Sequence, residues 1–535
     1  MGSNSVHGIV LNSLESKANY QIFFFLETIS IFESLLKMDI TINRFFGSTI
    51  WNCTKAFMFI CGIMAMMTTL KGAEAKPLKG SRPNIILIMS DDQGLGDMSL
   101  SGNPLVKTPH MDAFYAKSTR LTDFHVSPSC APTRSVIMTG KHEFMHGVTH
   151  TKYARNRIPS GLGTIAHEMK RAQYQTAIFG KWHLGIEEGR RPQDNGFDET
   201  FVLPSGGHGM YNMNPVMIHN GELVKCKGFS TEVIMGQTLN WIKSAKDKQD
   251  PFFIYLPTPA PHGPYKENIP AEWKKKWLEH GYNHNVAGRY ALVEDLDAQL
   301  GRFMKQLNAW NLVENTLVIF ITDNGPNTGG YKKDGKAHKL YHAGFSKGKG
   351  GVFEGSTRVP SFWQWKGVFK AGRDISKLTA HFDFFPTFME LAGIEPVAST
   401  PKHEGRSLLP LFRDPQHKWA DRYLYFNTGK WEPEDNVSDY KFKSAAIRNS
   451  KYRLIWYKDE EILLNLEEEM TNLDNIAPSH PEIVKTMKAE YEKWWKLIYP
   501  HATKILPPVV EQEWEKAFYQ LRKPEFAPTY EVPAL

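Results

Sequence analysis

Short apolar runs recur along the chain, and polar residues follow each of them. Four of these runs suit strands that are buried on both faces: Asn84–Ser90, Thr176–Phe179, Phe252–Leu256 and Leu317–Thr322. Apolar residues at helical spacing lie between them, as in Gly163–Ala172 and Val286–Leu307. Alternating strands and helices predict an α/β fold in which helices sandwich a large, mainly parallel sheet.

Each predicted strand is followed by a motif that carries reactive side chains. The motifs read D-D-Q-G from Asp91, G-K-W-H-L-G with Lys181 and His183, P-T-P-A-P-H ending at His262, and D-N-G from Asp323. In open α/β sheets, ligands bind beyond the carboxyl ends of the strands. We therefore expect the four motifs to converge on one pocket.

Two of the motifs are rich in side-chain oxygens. Asp91, Asp92, Asp323 and Asn324 offer the hard ligands that Ca²⁺ or Mg²⁺ prefers. Each pair taken alone could equally be a turn or a helix cap, because Asp and Asn favour both. Three carboxylates in one pocket would carry too much negative charge without a cation, so the set as a whole favours a divalent metal.

Lys181 and His183 stand two positions apart. In an extended segment, residues i and i+2 face the same side, so a cation and an imidazole could contact one ligand. The alternative is a solvated lysine beside a histidine at the edge of the core.

Residues 129–140 read S-C-A-P-T-R-S-V-I-M-T-G. Pro132 suits the first turn of a helix, which places Cys130 at the helix N-terminus, where free N–H groups favour an anion. A thiol of low pKa fits that setting, and so does an anionic substrate. The alternative is an inert cysteine buried beside a helix cap.

These motifs together resemble the signature of the type I sulfatases in the alkaline phosphatase superfamily. C-A-P-T-R followed by S-x-x-x-T-G matches its core, and K-G-G-V-F-E-G-S-T-R-V-P at 349–360 resembles its K-G-x-x-x-E-G-G-x-R-V-P, with Ser356 replacing a glycine. The resemblance covers roughly residues 82–415. It implies an alkaline phosphatase-like fold with a small C-terminal antiparallel α+β subdomain. Segments of that kind are Arg422–Phe426, Ser444–Tyr457 and Glu461–Leu466 as strands, and His480–Ile498 as a helix.

The resemblance also implies a chemistry. In the family, the signature cysteine is oxidised by a formylglycine-generating enzyme, and the hydrate of formylglycine is the nucleophile. One Ca²⁺ per chain is implied, with Asp91, Asp92, Cys130, Asp323 and Asn324 as its ligands. The implied catalytic roles are orientation of residue 130 by Arg134, sulfate binding by Lys181 and Lys349, contact with the hydrate by His183, and proton donation to the leaving group by His262. Glu354, Arg358 and Pro360 are interpreted as structural.

Three functions compete at this stage. A sulfatase is favoured, with a sulfated small molecule or carbohydrate as substrate. A phosphatase or phosphonate monoester hydrolase shares the fold, but phosphatases of the superfamily commonly use Ser or Thr with two zinc ions. A non-catalytic binder of sulfated glycans would have lost several of these side chains. The basic loop Asn327–Gly348 lies between two site motifs, so it is either a saccharide contact or a solvated loop.

The N-terminal region resembles an export signal. Residues 55–75 combine a lysine, an apolar run and an Ala-x-Ala site at Ala73 and Ala75, which is typical of a signal peptide and too short for a stable membrane span. The signal begins far from Met1, so Met38 is a plausible true start. We expect a periplasmic or extracellular protein.

Length and composition complete the prediction. We expect an extension and signal over 1–75, a catalytic α/β domain over 76–415, an α+β subdomain over 416–500 and a Pro-rich tail over 501–535. Only Cys130 and Cys226 follow the signal, so no disulfide framework is implied. The net charge of +7 is modest, and nothing indicates a nucleic-acid partner.

Overall fold

The computed structural model describes residues 77–535, except 153, 205–212, 266–268, 328–330, 334–335, 339, 401, 468–472 and 504–512. The predicted signal segment 55–75 lies outside the described residues. None of the helices within the described ranges is long and apolar enough to cross a membrane.

The strands alternate with helices along most of the chain. The strands are β1 (Asn84–Ser90), β2 (Thr119–Leu121), β3 (Phe124–His125), β4 (Gln175–Lys181), β5 (Glu199–Leu203), β6 (Val216–His219), β7 (Glu222–Lys225), β8 (Phe252–Pro257), β9 (Thr316–Thr322), β10 (Tyr331–Lys333), β11 (Lys336–His338), β12 (Ser361–Gln364), β13 (Arg373–Ile375), β14 (Thr379–Ala380), β15 (Leu424–Asn427), β16 (Ala445–Arg448), β17 (Tyr452–Tyr457) and β18 (Glu460–Asn465). The α-helices are α1 (Pro109–Ala116), α2 (Cys130–Thr139), α3 (Ile165–Arg171), α4 (Ser230–Ala245), α5 (Ala271–Glu279), α6 (His284–Ala309), α7 (Glu354–Thr357), α8 (Phe384–Ala392), α9 (Leu409–Arg413), α10 (Pro481–Ala502) and α11 (Glu513–Leu521).

Residues 77–535 contain a ten-stranded sheet, in the order β13-β2-β12-β9-β1-β8-β4-β5-β6-β7. The central strands β9, β1, β8, β4 and β5 are all parallel, whereas β12, β6 and β7 join as antiparallel strands. The four apolar runs predicted as strands are β1, β4, β8 and β9, and the two predicted helices are α3 and α6.

Successive residues of β1 enter two separate cores, which shows that the sheet is covered on both faces. Ile85 and Leu87 pack with residues of α2, α3 and α8, while Ile86 and Ile88 pack with residues of α1, α4 and α6. When a strand is covered on both faces, apolar residues at every position are buried and stabilise the fold. The predicted α/β sandwich is confirmed.

A small antiparallel sheet, β15-β16-β17-β18, follows the large one, and α10 packs on it through Tyr491 and Trp494. The prediction of one strand over Ser444–Tyr457 is wrong, because the segment is a hairpin of β16 and β17. Asn449 makes the turn, since its Oδ1 accepts hydrogen bonds from the backbone N–H groups of Lys451 at 3.0 Å and Tyr452 at 2.7 Å.

Candidate active site

The polar motifs meet at the carboxyl ends of the central strands, as their positions predict. Asp91 and Asp92 follow β1, Asp323 and Asn324 follow β9, and Lys181 ends β4. The backbone N–H of Asp92 donates to Asp323 Oδ1 at 3.1 Å, Asn324 Nδ2 donates to Asp92 Oδ1 at 2.8 Å, and Lys181 Nζ donates to Asp91 Oδ2 at 2.5 Å. All five side chains are buried.

Several oxygens of this cluster lack a donor. Asp91 Oδ1, Asp92 Oδ2 and Asn324 Oδ1 are buried and accept no hydrogen bond from any described residue. One ligand atom each from Asp91, Cys130 and Asp323 lie within 4.8 Å of one another. Buried acceptors without a partner are costly, and oxygens of this kind are the ligands of hard cations. The cluster could therefore hold a divalent metal ion.

Cys130 is the first residue of α2, as predicted. Arg134 lies one turn further along and is fully buried; its guanidinium donates to Asp323 Oδ2 at 2.7 Å and to the carbonyl of Lys181 at 2.6 Å. The low thiol pKa that this helix N-terminus would fit is not what the structure favours. Burial raises the pKa of Cys130, and the charges of Lys181 and Lys349 only partly oppose that effect.

Lys349 reaches the cluster from the loop before α7. Its Nζ lies 2.7 Å from Asp92 Oδ1. Its backbone N–H donates to the carbonyl of Pro326 at 2.9 Å, which fixes the loop beside the D-N-G turn. The D-N-G turn lies close to the backbone of α7 because Gly325 has no side chain. A Cβ at Gly325 would lie 1.9 Å from the carbonyl oxygen of Gly355.

The surroundings shift the pKa values of Asp92 and Asp323 in opposite directions. Burial raises the pKa of Asp92, but Lys349 and His262 outweigh that effect and hold it below its ordinary value. Burial and the neighbouring Asp91 raise the pKa of Asp323 to about 6 despite Arg134. Acidic groups with separated pKa values are a property of many active sites.

Two histidines border the cluster. His183 has a φ of +62°, so the extended geometry predicted for Lys181 and His183 is wrong; a left-handed turn, rather than strand alternation, directs His183. Burial and Lys181 lower its pKa well below the ordinary value. His262 shares a hydrogen bond of 2.7 Å between Nδ1 and the carbonyl of Gly263, and its Nε2 lies 3.6 Å from Asp92 Oδ2. Burial lowers the pKa of His262 to about 4, although Asp92 opposes this.

The sequence motifs missed Arg289, on α6. This buried guanidinium donates to Asp97 Oδ2 at 2.5 Å and to the backbone carbonyl of Asp92 at 2.7 Å. Asp92 needs such support, because its φ is +63°. One feature of the sequence could have indicated Arg289: it is a charged residue in an otherwise apolar stretch of helix, A-G-R-Y-A-L-V.

Glu354 links the Lys349 loop to the small sheet. Its carboxylate accepts hydrogen bonds from Arg448 at 3.1 Å and Arg453 at 2.6 Å, and Arg453 Nε also donates to the carbonyl of Val352 at 2.9 Å. Asp123, His125 and Glu354 lie close enough to hold a metal, but these arginines already balance their charge. The structural interpretation of Glu354 agrees with these contacts.

The basic loop predicted over Asn327–Gly348 is only partly described. Side chains of residues 328–339, which include Lys332, Lys333, Lys336, His338 and Lys339, lie outside the described residues. Lys347 is described, and its Nζ lies 5.3 Å from the ring centre of Tyr457 and 5.9 Å from that of Phe353.

Comparison with known proteins agrees with this geometry. The family model Sulfatase matches residues 83–394, and N-sulphoglucosamine sulphohydrolase, C-terminal, matches residues 342–496. The N-acetylgalactosamine-6-sulfatase of Canis lupus familiaris is 29% identical over 407 residues, covering 69% of this chain and 73% of that protein. The arylsulfatase of Klebsiella aerogenes is 25% identical over 442 residues, covering 65% of this chain and 94% of that protein.

Solved structures show the same relationship. Ps i-CgsB in complex with k-i-k-neocarrahexaose superposes with a TM-score of 0.68 at 26% identity, covering 82% of this chain and 97% of that one. The Sulfatase model alone spans more than half of the chain. The protein therefore belongs to the sulfatase family of the alkaline phosphatase superfamily and is a sulfuric ester hydrolase.

Proposed function

We propose that this sulfatase hydrolyses sulfate monoesters of a carbohydrate, with a formylglycine made from Cys130 as nucleophile and one calcium ion as cofactor. The observation that carries the proposal is the placement of Cys130, at the N-terminus of α2, among unpartnered buried oxygens and two lysines. The carbohydrate class is supported by relatives: one is named for a sulfated amino sugar, and another was crystallised with an oligosaccharide.

The donor set fits calcium. Asp91, Asp92, Asp323 and Asn324 would hold it together with residue 130, because oxygens of three of these side chains accept no hydrogen bond from the described residues. Bound there, the cation would offset the charge of the sulfate ester and lower the pKa of a neighbouring hydroxyl. Formylglycine would supply that hydroxyl as its hydrate.

Lys181 and Lys349 would bind the sulfate oxygens. Each now contacts a carboxylate of the cluster, so both ammonium groups are already fixed where negative charge is expected. Positive charge held in place before the reaction stabilises the transition state without reorganisation. Arg134 contacts Asp323 directly, and through Asp323 it would orient residue 130.

Proton transfer would fall to His262, His183 and Asp323. Asp323, which has a carboxylate oxygen within 4.8 Å of Cys130 Sγ, would accept the proton of the nucleophile. His262 would donate to the departing alcohol; a bound anionic ester raises the pKa of a nearby imidazole and so favours its charged form. His183 would assist the release of sulfate from residue 130.

The test combines mass and activity. After co-expression with a formylglycine-generating enzyme, the tryptic peptide 121–134 should be about 18 Da lighter than its cysteine form. Cys130→Ala should abolish turnover of p-nitrophenyl sulfate, whereas Cys226→Ala, at a second buried cysteine of the described residues, should retain it. Full activity of Cys130→Ala would refute the mechanism.

The same preparation separates the sulfatase from a phosphatase or phosphonate hydrolase acting through this site. A phosphate monoester dianion carries one charge more than a sulfate monoester, which two lysines beside three carboxylates match poorly. We expect one calcium per chain and a higher kcat/KM for p-nitrophenyl sulfate than for the phosphate. Two zinc ions per chain and faster phosphate hydrolysis at neutral pH would favour the alternative.

A further inference from the structure

Tyr265 lies three residues after His262, in the loop that follows β8 (residues 258–265, the His262 loop). Its hydroxyl accepts a hydrogen bond of 3.1 Å from Nη1 of Arg289. The same guanidinium donates to the backbone carbonyl of Asp92 at 2.7 Å. One buried side chain of α6 therefore contacts both the His262 loop and a residue of the carboxylate cluster.

Two glycines allow Tyr265 to pack closely against its surroundings. A Cβ at Gly263 would lie 3.2 Å from the Tyr265 ring, and a Cβ at Gly288 would lie 2.4 Å from the Tyr265 carbonyl oxygen. Gly288 directly precedes Arg289. The absence of these side chains lets the His262 loop approach α6 closely enough for the phenol to reach the guanidinium.

The Gly263 peptide orients the imidazole of His262. Its carbonyl lies 2.7 Å from His262 Nδ1, and because a carbonyl can only accept, Nδ1 carries a proton. Nε2 is then the nitrogen that faces the carboxylate cluster, 3.6 Å from Asp92 Oδ2. A displacement of the Gly263 peptide would therefore move Nε2 relative to the pocket. The Tyr265 ring, which lies against this peptide, opposes such a displacement.

The His262 loop is held on both sides of the histidine. Before it, the N–H of Thr258 donates to the carbonyl of Met89 at 2.8 Å, and the N–H of Asp91 donates to the carbonyl of Ala260 at 3.0 Å. These backbone hydrogen bonds tie the loop to β1 and the residue that follows it. After His262, the hydrogen bond between Tyr265 and Arg289 ties the loop to α6.

The phenol suits this position because it is uncharged. Burial raises the pKa of Tyr265 above its ordinary value, although Arg289 opposes this effect. The hydroxyl therefore stays protonated at neutral pH and accepts the hydrogen bond through a lone pair. A hydrogen bond from a charged donor is stronger than one between neutral groups, so the guanidinium fixes the ring without adding negative charge beside Asp92.

We propose that Tyr265 is a positioning residue that acts through His262 and holds Nε2 where it protonates the departing alcohol. The inference rests on the proposed function, which assigns that proton transfer to His262. The contribution of a proton donor grows as the leaving group becomes a stronger base, so the effect of Tyr265 should depend on the alcohol released. A residue that only stabilised the fold would affect all sulfate esters alike.

The leaving group provides the readout. Tyr265→Phe removes the hydroxyl and keeps the ring. Its kcat/KM for phenyl sulfate, which releases the more basic phenolate, should fall about tenfold more than its kcat/KM for p-nitrophenyl sulfate, because one hydrogen bond to a charged group is lost. Tyr530→Phe is the matched control: the Tyr530 hydroxyl donates to Gln237 Oε1 at 2.6 Å and is also partly buried, but Tyr530 lies beside the end of β7. It should keep the wild-type ratio of the two kcat/KM values.

A double variant shows whether Tyr265 acts through His262. His262→Gln should itself lower kcat/KM more for phenyl sulfate than for p-nitrophenyl sulfate, because it removes the acid. In the His262→Gln background, Tyr265→Phe should not change the ratio of the two values further. Tyr265→Phe should also need the same calcium concentration as the wild type after chelation, because Arg289 still holds the carbonyl of Asp92.

The outcomes separate the two proposals. Three results would overturn the positioning role while the sulfatase assignment stands: an unchanged ratio in Tyr265→Phe, the same change of ratio with and without His262, or a raised calcium requirement. Equal losses for both esters in His262→Gln would instead refute His262 as the proton donor. Absence of p-nitrophenyl sulfate turnover by the mature wild-type enzyme would refute the proposed function as a whole, and the positioning role would fall with either result.

Discussion

Replacing Arg289 by methionine should destabilise the protein more than any surface arginine replacement. Arg289 and Asp97 are 1% and 2% exposed, and the guanidinium contacts both carboxylate oxygens, at 3.2 Å and 2.5 Å. Arg289→Met removes one partner of a buried ion pair and leaves the Asp97 carboxylate uncompensated. Such a loss costs about 3–5 kcal/mol. The free energy of unfolding, measured by urea titration, should fall by that amount.

A surface pair provides the matched control. Arg191 contacts Asp194 with similar two-point geometry, at 2.9 Å and 3.0 Å, but the Arg191 side chain is 45% exposed. Arg191→Met should cost less than about 1 kcal/mol, because water screens the pair and solvates the remaining carboxylate. Because the two ion pairs have similar geometry, the difference between the two losses in free energy of unfolding measures the effect of burial.

A double variant tests the cause. Asp97→Asn in the Arg289→Met background removes the uncompensated charge, so the double variant should be more stable than the sum of the single changes predicts, by about 1.5 kcal/mol or more. Additive losses, or a loss for Arg289→Met no larger than for Arg191→Met, would refute the reasoning.

Arg289 should also affect the proposed calcium site. Because it holds the backbone carbonyl of Asp92 at 2.7 Å, its loss frees a residue with a φ of +63°. We expect about 10- to 100-fold more calcium to be needed to restore activity after chelation, as for other groups that support a metal ligand. The control Arg191→Met should need the same calcium concentration as the wild type.

Three further changes test other parts of the molecule. Asp323→Ala should lower bound calcium below one ion per chain and reduce kcat by at least about a hundredfold, measured by metal analysis and p-nitrophenyl sulfate turnover; full calcium content would contradict the assignment. Glu354→Gln should raise KM for sulfate esters and destabilise the protein by about 3 kcal/mol, because buried Arg453 loses its anion and Arg448 keeps only Asp123; an unchanged KM would show that this network does not position Lys349. Burial lowers the pKa of His146 to about 3, from 6.5 in an unfolded chain, so the unfolded state binds more protons and stability falls as pH drops from 6.5 towards 3. His146→Gln should reduce that slope in urea titrations by up to about 1.4 kcal/mol per pH unit.

The sequence predicted the parallel sheet well because its strands are buried on both faces. In β1 every position from Asn84 to Ser90 is buried, so the apolar run and the strand have the same ends. The small sheet was harder: the turn at Asn449 depends on one side chain accepting two backbone N–H groups, and a run of alternating residues does not show where such a turn falls.

The sequence likewise predicted some features of the site and not others. The motif positions alone predicted that Asp91, Lys181, His262 and Asp323 would converge, because parallel strands end at one edge of a sheet. The pKa of Cys130 could not be predicted in this way. Its helix N-terminus favours a thiolate, but burial, which only the packed structure sets, has the larger effect and raises the pKa.

By itself, the sequence determined the fold class, the polar motifs that follow the strands and the edge of the sheet at which they meet, since apolar periodicity and strand ends are local properties. Only the tertiary structure decided that Arg289 supports Asp92, that Arg453 holds the Lys349 loop, and that Lys430 stands beside Gly350. Each of these contacts joins segments far apart in the chain. The strength of the two arginine contacts depends on how completely the surrounding core excludes water, which no local pattern of residues encodes.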